Sequence, residues 1–102
     1  METYDLSKLN AEDFKSCLNQ NMNIHFSGGE TLSCEIIKVT ELNGYSPLER
    51  GAFSVVFQTT ADTSYREQGI HQIDLPKVKG LDIFLVPVSV DKNGMNYEAV
   101  FS

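Results

Sequence analysis

The side chains able to do chemistry in this sequence are few and widely spaced. There are two histidines, His25 and His71, and two cysteines, Cys17 and Cys34. A protein metal site takes three or four ligands, commonly supplied as closely spaced pairs. These four residues show no CxxC or HxxxH spacing and fall on separate stretches of chain, so no metal site is expected. Ser46, in GYSPL, has the first half of a nucleophile-elbow pattern. The second glycine is missing, and no strand–turn–helix context surrounds it. A turn serine before a proline is the simpler reading. Glu12 and Asp13 are adjacent, which suits a helix start better than paired acid–base work. Neither GxGxxG nor a P-loop occurs, so the usual nucleotide cradles are absent from the sequence. The expectation is a chain with no catalytic, cofactor-binding or metal-binding residues and no cofactor.

The elements that would position these residues follow from the apolar periodicity. Residues 10–19, NAEDFKSCLN, have a helical pattern. Asn10 can cap, Glu12 and Asp13 suit the positive end of the helix dipole, and Phe14, Cys17 and Leu18 form one stripe. A helix of two to three turns is expected there. The period then becomes two. Met22, Ile24 and Phe26 alternate with polar residues, placing His25 on a solvated face. Gly28-Gly29 can supply the positive φ angles of a hairpin turn. In the next strand, TLSCEIIKVTEL, the apolar phase slips at Ile36-Ile37, the mark of a bulge or of burial on both faces. Cys34 falls on its core face, where it serves as a small apolar residue, as does Cys17 on the helix stripe.

Residues 43–51 and 59–67 read as loops by composition, with the strand Phe53–Gln58 between them. His71, in phase with Ile73 and Leu75, is expected to be a half-buried packing residue. A turn follows at Lys77–Gly80. Leu81–Val90 is apolar on both faces, apart from Asp82 and Ser89, and predicts a doubly buried strand. Pro87 within it marks an edge, a bend or a bulge. Asn93-Gly94 is a strong hairpin signal. Beyond it, Met95, Tyr97, Ala99 and Phe101 alternate with outward residues, among which Val100 is an apolar exception. The whole predicts a mainly β domain over residues 1–102. Its expected form is a small antiparallel barrel or sandwich of about six strands with one short N-terminal helix.

Composition narrows the function classes. Fourteen acidic and 8 basic residues give the 102-residue chain a formal net charge of −6. The acids are scattered, and Lys77 with Lys79 is the densest basic cluster, which argues against a nucleic-acid partner. The first residues, METYDLSKLN, carry no apolar signal region, and no run approaches the length of a membrane helix. A cytoplasmic protein without membrane contact is expected, with both cysteines as free thiols.

Three stretches carry a family resemblance: FSVVFQ (53–58), EQGIHQIDLP (67–76) and GLDIFLVPVSVDKNGMNYEAVFS (80–102). Together with a Leu-x-x-x-x-Phe opening, supplied by Leu9 and Phe14, they resemble the bacterial family known as domain of unknown function 6916. The sequence departs from the family pattern at His71, where an aromatic is common, and at Leu75-Pro76, where His-Pro is common. Both departures bear on packing. The resemblance implies a single-domain bacterial protein, with an association to phage-tail-like structures, and offers no catalytic residues.

The leading expectation is a non-catalytic interaction or assembly module, not an enzyme, accessory to a phage-tail-like structure. It would use free sheet edges to meet a protein partner, a second copy of the chain among the candidates. The alternative is a small-molecule-binding β-barrel whose mouth is rimmed by loops 43–51 and 59–69.

Overall fold

The structure, a computed structural model, describes residues 9–26, 28–42, 52–60, 63–76 and 78–101. One helix, α1 (Ala11–Lys15), precedes six strands: β1 (Asn21–His25), β2 (Thr31–Glu41), β3 (Phe53–Thr59), β4 (Gly69–Asp74), β5 (Leu81–Asp91) and β6 (Gly94–Phe101). All ladders between strands are antiparallel, and the order β1-β2-β3-β6-β5-β4 closes into a barrel through β1 and β4. The barrel, not the sandwich, is the architecture. The C-terminal strand does not close it. β6 lies between β3 and β5.

Period-two alternation builds the interior. Met22, Ile24, Cys34, Ile36, Phe53, Val55, Phe57, Ile73, Leu81, Ile83, Leu85, Tyr97 and Ala99 are all buried. α1 covers one end. Asn10 and Asp13 form a reciprocal capping box, Asp13 N–H donating to Asn10 Oδ1 (3.1 Å) and Asn10 N–H to Asp13 Oδ2 (2.9 Å). This satisfies two donors that the helix start would leave unpaired. Phe14 is thereby set against Phe53 and Phe101, with ring centroids 5.6 and 5.1 Å away.

The helix is shorter than its apolar pattern predicted. It stops at Lys15, and Cys17 is buried while Leu18 is exposed. Asn19, at φ 64°, turns the chain so that its N–H donates to Ile36 O (3.1 Å). Pairing with β2 therefore outcompetes another helical turn.

Two irregularities fall where the sequence placed them. The β2–β3 register shifts between Ile36 and Lys38, leaving Ile37 unpaired and exposed. The β5–β6 register shifts between Pro87 and Ser89, so the residue that cannot donate to a ladder sits at a bulge. The turn glycines act differently from expectation. Of Gly28-Gly29, the second alone has a positive φ, 99°. In the last hairpin the turn residues are Lys92 and Asn93, because Gly94 already pairs with Asp91. Gly94 is needed for closeness instead. A Cβ there would lie 1.7 Å from the Thr59 carbonyl oxygen.

β5 also differs from expectation. Leu81, Ile83 and Leu85 point inward, but Phe84, Val88 and Val90 are exposed. The strand is one wall of a single-layer barrel, so only one of its faces can be covered by the core.

Candidate functional site

Three places on the barrel bring polar or unusual side chains together. The first is on the outside of the closing seam, where β1 and β4 pair from Asn23 with Asp74 to His25 with Gln72. His25 is not simply solvated, as its polar-face position suggested. Its Nε2 lies 2.6 Å from Asp74 Oδ2 and its Nδ1 2.9 Å from Thr31 Oγ1. A carboxylate can only accept, so Nε2 carries the proton toward Asp74. Nδ1 then accepts from the Thr31 hydroxyl when the ring is neutral. Asp74 Oδ1 also takes the Gly80 N–H (2.8 Å). The imidazole hydrogen bond, with help from Gly80, the His25 charge and Lys79, holds the Asp74 carboxyl below its ordinary value against a smaller burial effect.

Hydroxyl, imidazole and carboxylate thus stand in the order used by hydrolases. Chemistry would also need donors for a developing oxyanion and a recess for substrate. Three depressions among the described residues, of about 300, 410 and 450 Å³, are lined by none of the three residues. The arrangement works as a clasp: Asp74 joins β1, β4 and the entry to β5 across the seam.

The second place is the barrel end opposite α1. Arg66 grips Glu30 with two hydrogen bonds, Nε to Oε1 (3.1 Å) and Nη2 to Oε2 (2.8 Å), and its guanidinium lies 5.1 Å from the centre of the Phe26 ring. His71, expected to be half-buried, is buried, and meets the Phe26 ring edge-on at 4.9 Å. A depression of about 300 Å³ remains among Phe26, Gly28, Glu30, Arg66 and His71. Of the two loops expected to rim a barrel mouth, only the points where they leave and rejoin the strands can be compared. Residues 43–51 lie outside the described residues, but they leave from Leu42 and return at Ala52, at the α1 end of β3. The 59–69 segment starts at the other end of the same strand.

The third place is the outward face of β4, β5 and β6. Ile70 pairs with Phe84 across β4 and β5, and Val86 pairs with Glu98 across β5 and β6. Extending that antiparallel register by two residues sets Phe84 and Val100 on one level of the sheet, just past the last paired position, Val86 with Glu98. Ile70, Phe84 and Val100 are 62%, 52% and 60% exposed. Sequence reasoning noted Val100 but missed the row. The available signal was the apolar residue on the non-core phase of each of the three strands.

Ser46 lies outside the described residues. Cys17 and Cys34 are free and buried, and burial pushes the Cys34 thiol up to about 12, with Glu35 adding to the effect. Among the described residues, no three His, Cys, Asp or Glu side chains gather as a metal site would need.

The model of the domain of unknown function DUF6916 matches residues 9–101. The chain belongs to the DUF6916 family. The match runs from Leu9, which opens the α1 segment, to Phe101, the last residue of β6, so it takes in the whole barrel. Neither the curated proteins nor the solved structures contain a match to this DUF6916 domain. Among its described residues, no helix is long and apolar enough to cross a membrane.

Proposed function

We propose that this domain is a non-catalytic interaction module that docks a protein partner on the outward face of β4, β5 and β6. The supporting observation is the exposed row Ile70–Phe84–Val100. Isolated surface hydrophobes need no explanation, whereas a row of them on adjacent strands supports an interaction surface. The route differs from free-edge pairing. Each strand has two neighbours in the closed barrel, so the faces remain as docking surfaces. The setting, an accessory place in a phage-tail-like assembly, is carried by the family resemblance alone, and the cytoplasmic location by the sequence of the first residues. The test is affinity capture from the native host with the intact protein and with an Ile70→Ser/Phe84→Ser variant. A partner retained by the first and lost by the second supports the proposal. Identical captures would refute it.

A second reading, binding of a small molecule, is favoured by the depression beside Arg66 and His71. Core side chains fill the barrel interior. A ligand would therefore sit at that end and have to displace Glu30 from Arg66. A thermal-shift screen of metabolites against the intact protein and an Arg66→Ala variant tests it. A ligand that stabilises only the intact protein supports this reading, and the absence of any shift counts against it.

A further inference from the structure

The partner's chemistry can be taken further, on the reading that the β4–β6 face is the docking surface. The three strands together carry four carboxylates, Asp74, Asp82, Asp91 and Glu98, and no Lys or Arg. Asp74 is engaged by His25, and Asp91 accepts the Asn93 N–H within its hairpin. Asp82 and Glu98 are left on the outward face, one residue pair to either side of the apolar row: Asp82 two positions before Phe84, Glu98 two before Val100. The surface is an apolar strip between two acids.

We infer that the partner presents an amphipathic segment whose apolar stripe is flanked by Lys or Arg. Charges across an interface are arranged to be complementary, and like charges brought together select against a partner. A second copy of this chain, itself at −6, would set Asp82 and Glu98 against the same acids. Residues two apart along a strand are about 7 Å apart, so acids two positions to either side of the row lie within reach of the cations that flank the apolar stripe of a helix running along the row. A basic amphipathic helix laid over Phe84 covers the apolar row and brings cations to both acids.

The test uses the full chain and two probe peptides, each an amphipathic helix about 18 residues long with the same Leu stripe, one flanked by Lys and one by Glu. Binding is followed by amide shifts of the isotope-labelled protein and by Kd. The Lys-flanked peptide should move the Ile70, Phe84 and Val100 signals, and the Glu-flanked one should not. Phe84→Ser should weaken the Lys-flanked peptide by about tenfold or more. Asp82→Lys/Glu98→Lys should reverse the preference.

Both peptides binding the face equally, with Phe84→Ser still weakening them, would overturn the charge assignment and leave the docking face standing. Binding indifferent to Phe84→Ser would reduce the interaction to bulk charge and overturn the inference. No binding by either peptide would also overturn it. So would a dimer in sedimentation that Phe84→Ser dissolves, because the face would then serve a second copy.

Discussion

Gly94→Ala is the sharpest perturbation the fold offers, because it adds one methyl group and changes nothing else. The added Cβ would lie 1.7 Å from the Thr59 carbonyl oxygen, 2.9 Å from its carbon and 3.2 Å from Gln58 Cγ. Ordinary contact begins near 3.4 Å. β6 and the end of β3 must therefore separate by well over an ångström. The atom in the way is backbone, so no side-chain rotation relieves the clash. Thr59 is fully buried, and its hydroxyl accepts from Met95 N–H (3.1 Å). Separation breaks that bond inside the protein. Overpacking a core costs about 1–3 kcal/mol, and leaving a buried donor unpaired costs about 1–3 kcal/mol. The sum, about 2–6 kcal/mol, is a large part of the 5–15 kcal/mol or so that holds a domain together. At about 4–8 °C per kcal/mol for a chain of this size, the melting temperature should fall by roughly 8 °C at the least and by tens of degrees at the upper end. Gly28→Ala is the control. It is exposed, has no positive φ and has nothing within 4 Å of an added Cβ. It should change stability by less than about 0.5 kcal/mol. Calorimetric melts of both variants beside the native protein decide the matter. A Gly94→Ala melt within a few degrees of native would show that the close approach of β6 to Thr59 is not as described.

Deleting residues 95–102 removes the strand shared by β3 and β5, with Met95, Tyr97, Ala99 and Phe101 from the core, and should abolish the cooperative melt; a sharp transition near the native temperature would refute the central place of β6. Asp74 has a carboxyl pKa lowered in the folded state from its ordinary 3.8, so the stability it adds is fully present above about pH 4 and is lost as pH falls through the lower folded value. Asp74→Asn should therefore lie below native at neutral pH, with the gap narrowing in acid. Urea midpoints measured across that range would refute the clasp if the two curves ran parallel. Cys34, held near 12 by burial, has almost no thiolate at pH 8, so iodoacetamide should leave it unmodified until the chain is unfolded. Equal labelling of the folded and denatured protein, read by peptide mass, would contradict its position in the core.

Much of this architecture is set by local pattern. Alternation at Phe53, Val55 and Phe57, the slip at Ile36-Ile37, the Pro87 bulge and the Asn10–Asp13 capping box each depend on residues a few positions apart. Side-chain alternation, ladder donation and helix-start hydrogen bonding are all satisfied within a few residues of chain, so their signals survive in the sequence. The seam clasp does not. His25 and Asp74 are 49 residues apart, and nothing in either neighbourhood names the other. They meet because barrel closure sets β1 beside β4. The role of Gly94 was hidden for the same reason. Its sequence context signals a turn, whereas the requirement for glycine comes from Thr59 on a neighbouring strand. The outer row was the least legible. Leu81–Val90 is apolar on both faces, and that pattern alone fits a strand buried twice as well as a barrel wall with one face exposed. Closure into a single layer around one core turned Phe84 out to solvent beside Ile70, and tertiary packing alone could decide it.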